Sequence, residues 1–203
     1  FESGYETEKE KYSDFIEKLE ASFSDPSVVL NPLSELEKHQ DEYIYFRTGN
    51  SWTMRGAFYG AQVIFGELGY DKENLDAYRE YVFGNFKGNL LLEALGKYTT
   101  DEIKKGIENM EEEPFYIYIN GSNPNREELT FENKEGQLQT LKRQTIQFNG
   151  SGNYAVIGSS YKHSIVEGRG KGQRKGNLLL IADTRGKMMI SYLSEIFEKV
   201  YVS

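Results

Sequence analysis

Residues Leu178–Gly186 read LLLIADTRG, a continuous apolar run that breaks at Asp183 and Thr184. A strand without polar alternation is one buried on both faces, which is the habit of parallel sheets. After it, about Lys187–Phe197 carries a helical period, and Val200-Tyr201-Val202 reads as a last strand. Strand, helix and strand in that order predict an α/β fold with a parallel sheet covered by helices on both faces. Ligands in such sheets bind beyond the carboxyl ends of strands. Asp183, Thr184 and Arg185 stand at that position, with the Thr184 hydroxyl offered at a helix start. Asp and Thr also cap helices, and on local pattern alone capping is the commoner role for such a segment.

Working outward, Tyr45–Tyr59 reads YFRTGNSWTMRGAFY and places the only Trp of the chain, Trp52, at the mouth of a long helix. Met54, Ala57, Phe58, Ala61, Ile64, Phe65 and Leu68 line one face of that helix, and Gly69 stops it. Upstream, Glu42–Phe46 and Val28–Leu30 read as strands, and Asn31-Pro32 opens a helix to about Lys38. Residues 1–24 form an amphipathic helix through Tyr12, Phe15, Ile16, Leu19 and Phe23. Asn74 to about Phe83 reads as a helix. The stretch 84–113 reads as acidic and irregular apart from a helix at 101–109 capped by Thr100. Phe115–Asn120, Leu129–Glu132, Thr140–Phe148 and Tyr154–Ile157 read as strands between Asn, Gly and Pro turns. They make 114–157 a β-rich insertion or extension of a single domain spanning 1–203.

Composition removes several chemistries. The 203 residues carry a formal net charge of −8, against a general role in binding nucleic acid, which needs a cationic surface. No cysteine is present, so disulfides, thiolate metal sites and Cys nucleophiles are excluded. The two histidines, His39 and His163, are too few for an all-histidine metal site, and no calcium-loop spacing occurs. No metal and no cofactor is expected. No apolar run is long enough for a membrane-spanning helix.

Two further stretches have alternative readings. Gly168–Gly176, GRGKGQRKG, interleaves Arg169, Lys171, Arg174 and Lys175 with glycines. It is either a solvated hairpin tip or a contact for anionic cell-wall polymer or lipid headgroups. It is not a phosphate-binding loop, because no strand feeds it and no Gly-Lys-Ser/Thr opens a helix after it. Glu111-Glu112-Glu113 reads as ordinary solvated surface.

Together the two central segments resemble a family. Tyr43–Ala61, YIYFRTGNSWTMRGAFYGA, is similar to the signature of the DHHW proteins, roughly Y-x-x-T-D-H-H-W-T-x-x-G-A-x-x-A. LLLIADTRG resembles that family's later Gly-Asp-Ser block. The resemblance implies a three-layer SGNH-hydrolase-like (flavodoxin-like) α/β fold with an added antiparallel section. It also implies kinship with exported proteins that acetylate cell-surface polysaccharides alongside a membrane-bound O-acyltransferase. The family's Asp-His-His falls on Gly49, Asn50 and Ser51, and its nucleophilic Ser falls on Thr184. An Asp-His-Ser mechanism needs the histidine to take the nucleophile's proton and the carboxylate to orient that histidine. Neither is present at the matching positions.

The resemblance therefore implies an exported, extracellular or cell-envelope pseudoenzyme that acts in carbohydrate binding, with Trp52, Asp183 and Arg185 as binding residues, or as an assembly partner in polysaccharide acylation. Phe1 in place of a Met start reads as an export signal or anchor removed. The alternatives are a weakly active or repurposed acylesterase or O-acetyltransferase using Thr184 with an unidentified base, which His163 supplies if the fold brings it near, and a structural cell-surface component.

Overall fold

The structure is a computed structural model that describes residues 2–25, 29–71, 74–97, 100–120, 128–132, 137–142, 146–148, 154–156, 164–167 and 176–203. Helix α1 (Glu2–Glu20) is followed by short α2 (Leu33–Glu37) and by α3 (Met54–Glu67), the helix around which the core is built. Ala57, Phe58, Ala61 and Phe65 on α3 are almost completely buried, as their three-and-four spacing requires. Thr53 caps α3, its Oγ1 accepting from Gly56 N at 3.3 Å and donating to Tyr43 O at 2.7 Å. Gly69 ends the helix with φ +72°, a conformation that favours glycine.

Strand β1 (Tyr78–Phe86) pairs antiparallel with β2 (Glu113–Asn120), and helices α4 (Asn89–Lys97) and α5 (Asp101–Glu108) connect them. Then follow β3 (Glu128–Glu132), β4 (Leu138–Lys142), β5 (Ile146–Phe148), β6 (Tyr154–Val156) and β7 (Ser164–Glu167). The chain continues through β8 (Asn177–Leu180), α6 (Thr184–Lys187), α7 (Ile190–Ile196) and β9 (Lys199–Val202). The main sheet has the order β4-β3-β7-β9-β8, while β5 and β6 form a separate pair.

The expected parallel sheet is corrected by this pairing. Only β8 and β9 run parallel, with Leu178 opposite Val200 and Leu180 opposite Val202, and every other described pair is antiparallel. The reason is connectivity. A helical crossover returns the chain in the same direction, and among the described residues of this sheet it occurs where α6 and α7 link β8 to β9. The β-rich stretch is likewise not one section. Strand β2 belongs with β1, β3 and β4 extend the main sheet through β7, and β5–β6 stand apart. Nor is β8 enclosed on both faces: Leu179 is 64% exposed, and Ile181, just past the strand, is 77% exposed.

Other expectations also change. The predicted strand Glu42–Phe46 is a turn with a single bridge, Tyr45 to Trp52, so its alternating burial is satisfied by its own downstream loop. The predicted helix from Asn74 is a 3-10 turn at Leu75–Ala77 followed by β1. Its aromatic and β-branched content suits a strand once β2 is available as a partner. Val29 and Leu30 form no strand, and Val28 lies outside the described residues. The helix predicted at 187–197 is two helices separated by Met188 and Met189, and α4 falls in the stretch read as irregular.

Candidate functional site

The loop that carries the signature, Arg47–Ser51, is held from the far end of the β1–β2 pair. Glu113 opens β2 and is only 6% exposed. Its carboxylate accepts from Arg47 N and Thr48 N, each at 2.8 Å, and from the hydroxyls of Thr48 and Tyr43. Burial alone would raise the Glu113 pKa. The hydrogen bonds from the Thr48 and Tyr43 hydroxyls and the two amides outweigh it and hold the carboxyl below its usual value. The Tyr43 hydroxyl is pushed up, first by burial and then by its bond to this carboxylate.

A second brace comes from the turn before α4. Gly88 N donates to Thr48 Oγ1 at 2.8 Å, and a Cβ on Gly88 would lie 2.2 Å from Thr48 O. The close approach of these two backbones requires glycine at this position. Reading Glu111–Glu113 as one solvated run missed this clasp. The signal available was the alternation of β2, which puts Glu113 on the same face as buried Phe115 and Ile117.

Trp52 joins the two motif segments. Its Nε1 donates to Arg185 O at 2.8 Å, and its ring lies against Gly60 of α3. Around this junction Asn50, Trp52, Asp183 and Arg185 line one pocket of about 540 Å³, with Tyr12 and Tyr45 completing its aromatic wall. The structure thus brings together four of the residues singled out in the sequence.

The others are placed differently. Ser51 is buried, its Oγ donating to Met188 Sδ at 3.4 Å. Gly49 lies against Gly88. Thr184 is the first residue of α6, and Asp183 caps that helix, its Oδ1 accepting from Arg185 N at 3.0 Å and Gly186 N at 2.9 Å. The capping role of Asp183 is therefore realised, while its Oδ2 stands 4.0 Å from Arg185 Nη1. His163 and the basic residues Arg169, Lys171, Arg174 and Lys175 lie outside the described residues.

His39 serves elsewhere. It stacks on Tyr59 with ring centroids 3.6 Å apart, and its Nδ1 is 2.7 Å from Glu42 Oε1. The other Glu42 oxygen accepts from Tyr59 OH at 2.9 Å and Arg55 Nη1 at 3.0 Å. This cluster ties α2 to α3 and does not line the pocket. Among the described residues, the pocket offers an amide, a guanidinium and a capping carboxylate beside aromatic rings, with no imidazole. Such a lining binds hydroxyl groups against apolar faces. No group of three or more His, Asp or Glu able to hold a metal occurs among the described residues, and no described helix is long and apolar enough to cross a membrane.

Comparison with solved structures places the fold. A DHHW family protein from Eubacterium siraeum superposes with a TM-score of 0.64 at 22% identity, covering 85% of this chain and 55% of that one. Bacillus cereus PatB1 matches in two structures. With a sulfonyl adduct the TM-score is 0.52 at 16% identity, covering 82% of this chain and 52% of that one. The second gives 0.51 at 13% identity, covering 81% and 54%. The chain thus spans about half the length of the structures it matches. No curated protein matches it. The sequence profile described as DHHW protein matches residues 30–203, which contain both motif segments and every residue lining the pocket except Tyr12. The chain belongs to the DHHW family.

Proposed function

We propose that this protein is an exported, non-catalytic member of its family that binds a cell-surface glycan in the pocket between Asn50–Trp52 and Asp183–Arg185. One observation carries the reading. The two motif segments close on a shared pocket through the Trp52–Arg185 bond, and the family resemblance matches Gly49, Asn50 and Ser51 to its acid–base positions. A pocket whose described lining sets an amide, a guanidinium and a capping carboxylate beside aromatic rings, with no imidazole, is suited to holding a sugar. The fold likeness to PatB1 supports an SGNH-like, three-layer ancestry, and the family resemblance adds a place beside a membrane-bound O-acyltransferase in polysaccharide acylation.

Glycan-array binding followed by calorimetry tests this reading. Asn50→Ala and Arg185→Ala should each weaken binding of a glycan identified on the array by about tenfold, the effect of losing one or two hydrogen bonds. Binding unchanged in both variants would remove the pocket from consideration.

A second reading has its own support. The PatB1 structure carries a sulfonyl adduct, the product of a nucleophile attacking sulfur, and Thr184 opens a helix directly after the pocket residue Asp183. The alternative is an acylesterase or acetyltransferase acting through Thr184. Treatment with a sulfonyl fluoride separates the two readings. Under the favoured one, intact mass is unchanged and ester hydrolysis equals that of Thr184→Ala. A sulfonyl group on Thr184, or hydrolysis lost in both Thr184→Ala and His163→Ala, would establish the enzyme.

A further inference from the structure

Beside the pocket lies a second hollow of about 650 Å³, and the two share Leu33, Leu36 and Tyr45. We infer that they are consecutive subsites of one groove, which takes an uncharged glycan chain of several units and not a single sugar. The inference rests on the glycan-binding reading above and extends it.

The shared residues carry the argument. Leu33 and Leu36 belong to α2 and floor both hollows, while Tyr45 stands between them with 52% of its surface exposed. An aromatic ring at the boundary of two hollows gives a chain a surface on which to lie as it passes from one to the next. Each hollow alone falls within the range of about 300–1,000 Å³ that holds a small ligand. Two of them side by side suit a ligand that repeats. The second hollow has the same composition as the first, an apolar floor beneath a polar rim. Ile44 joins the floor, and Gln40, Asp41 and Arg47 are among the rim groups.

Charge narrows the ligand class. The second hollow is lined by three carboxylates, Glu37, Asp41 and Glu42, of which Glu42 is paired with Arg55, against the guanidinium of Arg47. Asp183 and Arg185 in the first offset one another. The second hollow is net acidic and the first is balanced, so a polyuronate chain is repelled where it enters the second while an uncharged chain is not.

The test is calorimetric titration of the whole chain with uncharged β1,4-linked N-acetylglucosamine and glucose oligomers, from dimer to hexamer, and with a galacturonate hexamer. The uncharged hexamer should bind at least about tenfold more tightly than the dimer, as linked subsites do. Gln40 and Asp41 line only the second hollow, so the double variant Gln40→Ala/Asp41→Ala should reduce the hexamer to the dimer's affinity and leave the dimer unchanged. The galacturonate hexamer should bind more weakly than the uncharged one. Dimer and hexamer binding equally well, or the galacturonate hexamer binding best, would overturn the two-subsite groove and leave the first pocket standing. Failure of every uncharged oligomer to bind would overturn both readings.

Discussion

Glu113 accepts hydrogen bonds from both the backbone amide and the hydroxyl of Thr48, a residue 65 positions earlier in the chain. One buried carboxylate thereby fixes the start of the loop that delivers Asn50 and Trp52 to the pocket. Replacing it with Ala leaves the Arg47 and Thr48 amides and the Tyr43 hydroxyl without that acceptor. Each unsatisfied buried group costs about 1–3 kcal/mol, so Glu113→Ala should lower stability by about 3 kcal/mol or more in urea unfolding. Glu113→Gln keeps one carbonyl acceptor and should lose roughly half as much. A cost below about 0.5 kcal/mol for the Ala variant, the range of ordinary surface changes, would show that the loop holds itself.

The same carboxylate sets an acid limit. Its folded pKa lies below the ordinary value of 4.5, and so does that of Glu42, where burial is outweighed by bonds from His39 and Tyr59 and by the charge of Arg55. A depressed carboxylate pKa contributes stability that is fully present above the unfolded-state pKa and is lost as pH falls through the folded one. Stability relative to Glu113→Gln should therefore be constant from neutral pH to about pH 5 and shrink below about pH 4. Chemical denaturation of both proteins between pH 3 and pH 7 measures the difference directly. A gap that widened on acidification would mean that Glu113 is protonated in the folded state.

Trp52 Nε1 bonded to Arg185 O is the described hydrogen bond that links the two motif segments across the pocket. Trp52→Phe removes the donor while keeping an aromatic ring. A hydrogen bond contributes about 0.5–1.5 kcal/mol net, and the smaller ring also leaves space beside Gly60. The variant should lose about 1–2 kcal/mol of stability and weaken glycan binding more than Asn50→Ala does, because it frees Arg185 as well as altering the wall. Amide exchange at 184–187 should rise in Trp52→Phe and remain unchanged in Asn50→Ala.

How much of this was legible in the sequence depended on the range of the interactions. Helix α3 and its end at Gly69 were readable because a 3.6-residue period and a glycine stop are local features. The meeting of Asn50 and Trp52 with Asp183 and Arg185 was readable only through the family pattern, since nothing local ties residue 52 to residue 185. The apolar run LLLIA is equally compatible with an interior parallel strand and with β8 and the residues after it, where Leu179 and Ile181 remain exposed. Strand β1 was taken for a helix because its partner, β2, begins 27 residues after Phe86, at Glu113. Glu113 escaped notice inside a run of three glutamates, of which only the last enters the strand.

Two glycines provide the sharpest contrast between packing and propensity. A Cβ on Gly56 would lie 2.3 Å from Ile44 O and 2.8 Å from Trp52 Cβ, both parts of the loop that shapes the pocket. Gly106 in α5 has nothing within 4 Å of the same position. Both sit in helices, so alanine gains the same roughly 0.5–1 kcal/mol of helix propensity at either site. At Gly106 that gain is unopposed, and Gly106→Ala should raise the melting temperature. At Gly56 the added methyl must displace backbone, and overpacking of this kind costs about 1–3 kcal/mol. Gly56→Ala should therefore lower the melting temperature and, by pushing Trp52 off its seat on α3, weaken glycan binding in parallel. Equal effects of the two substitutions on stability would mean that the 42–53 loop yields without resistance, and the rigid wall assigned to the pocket would have to be given up.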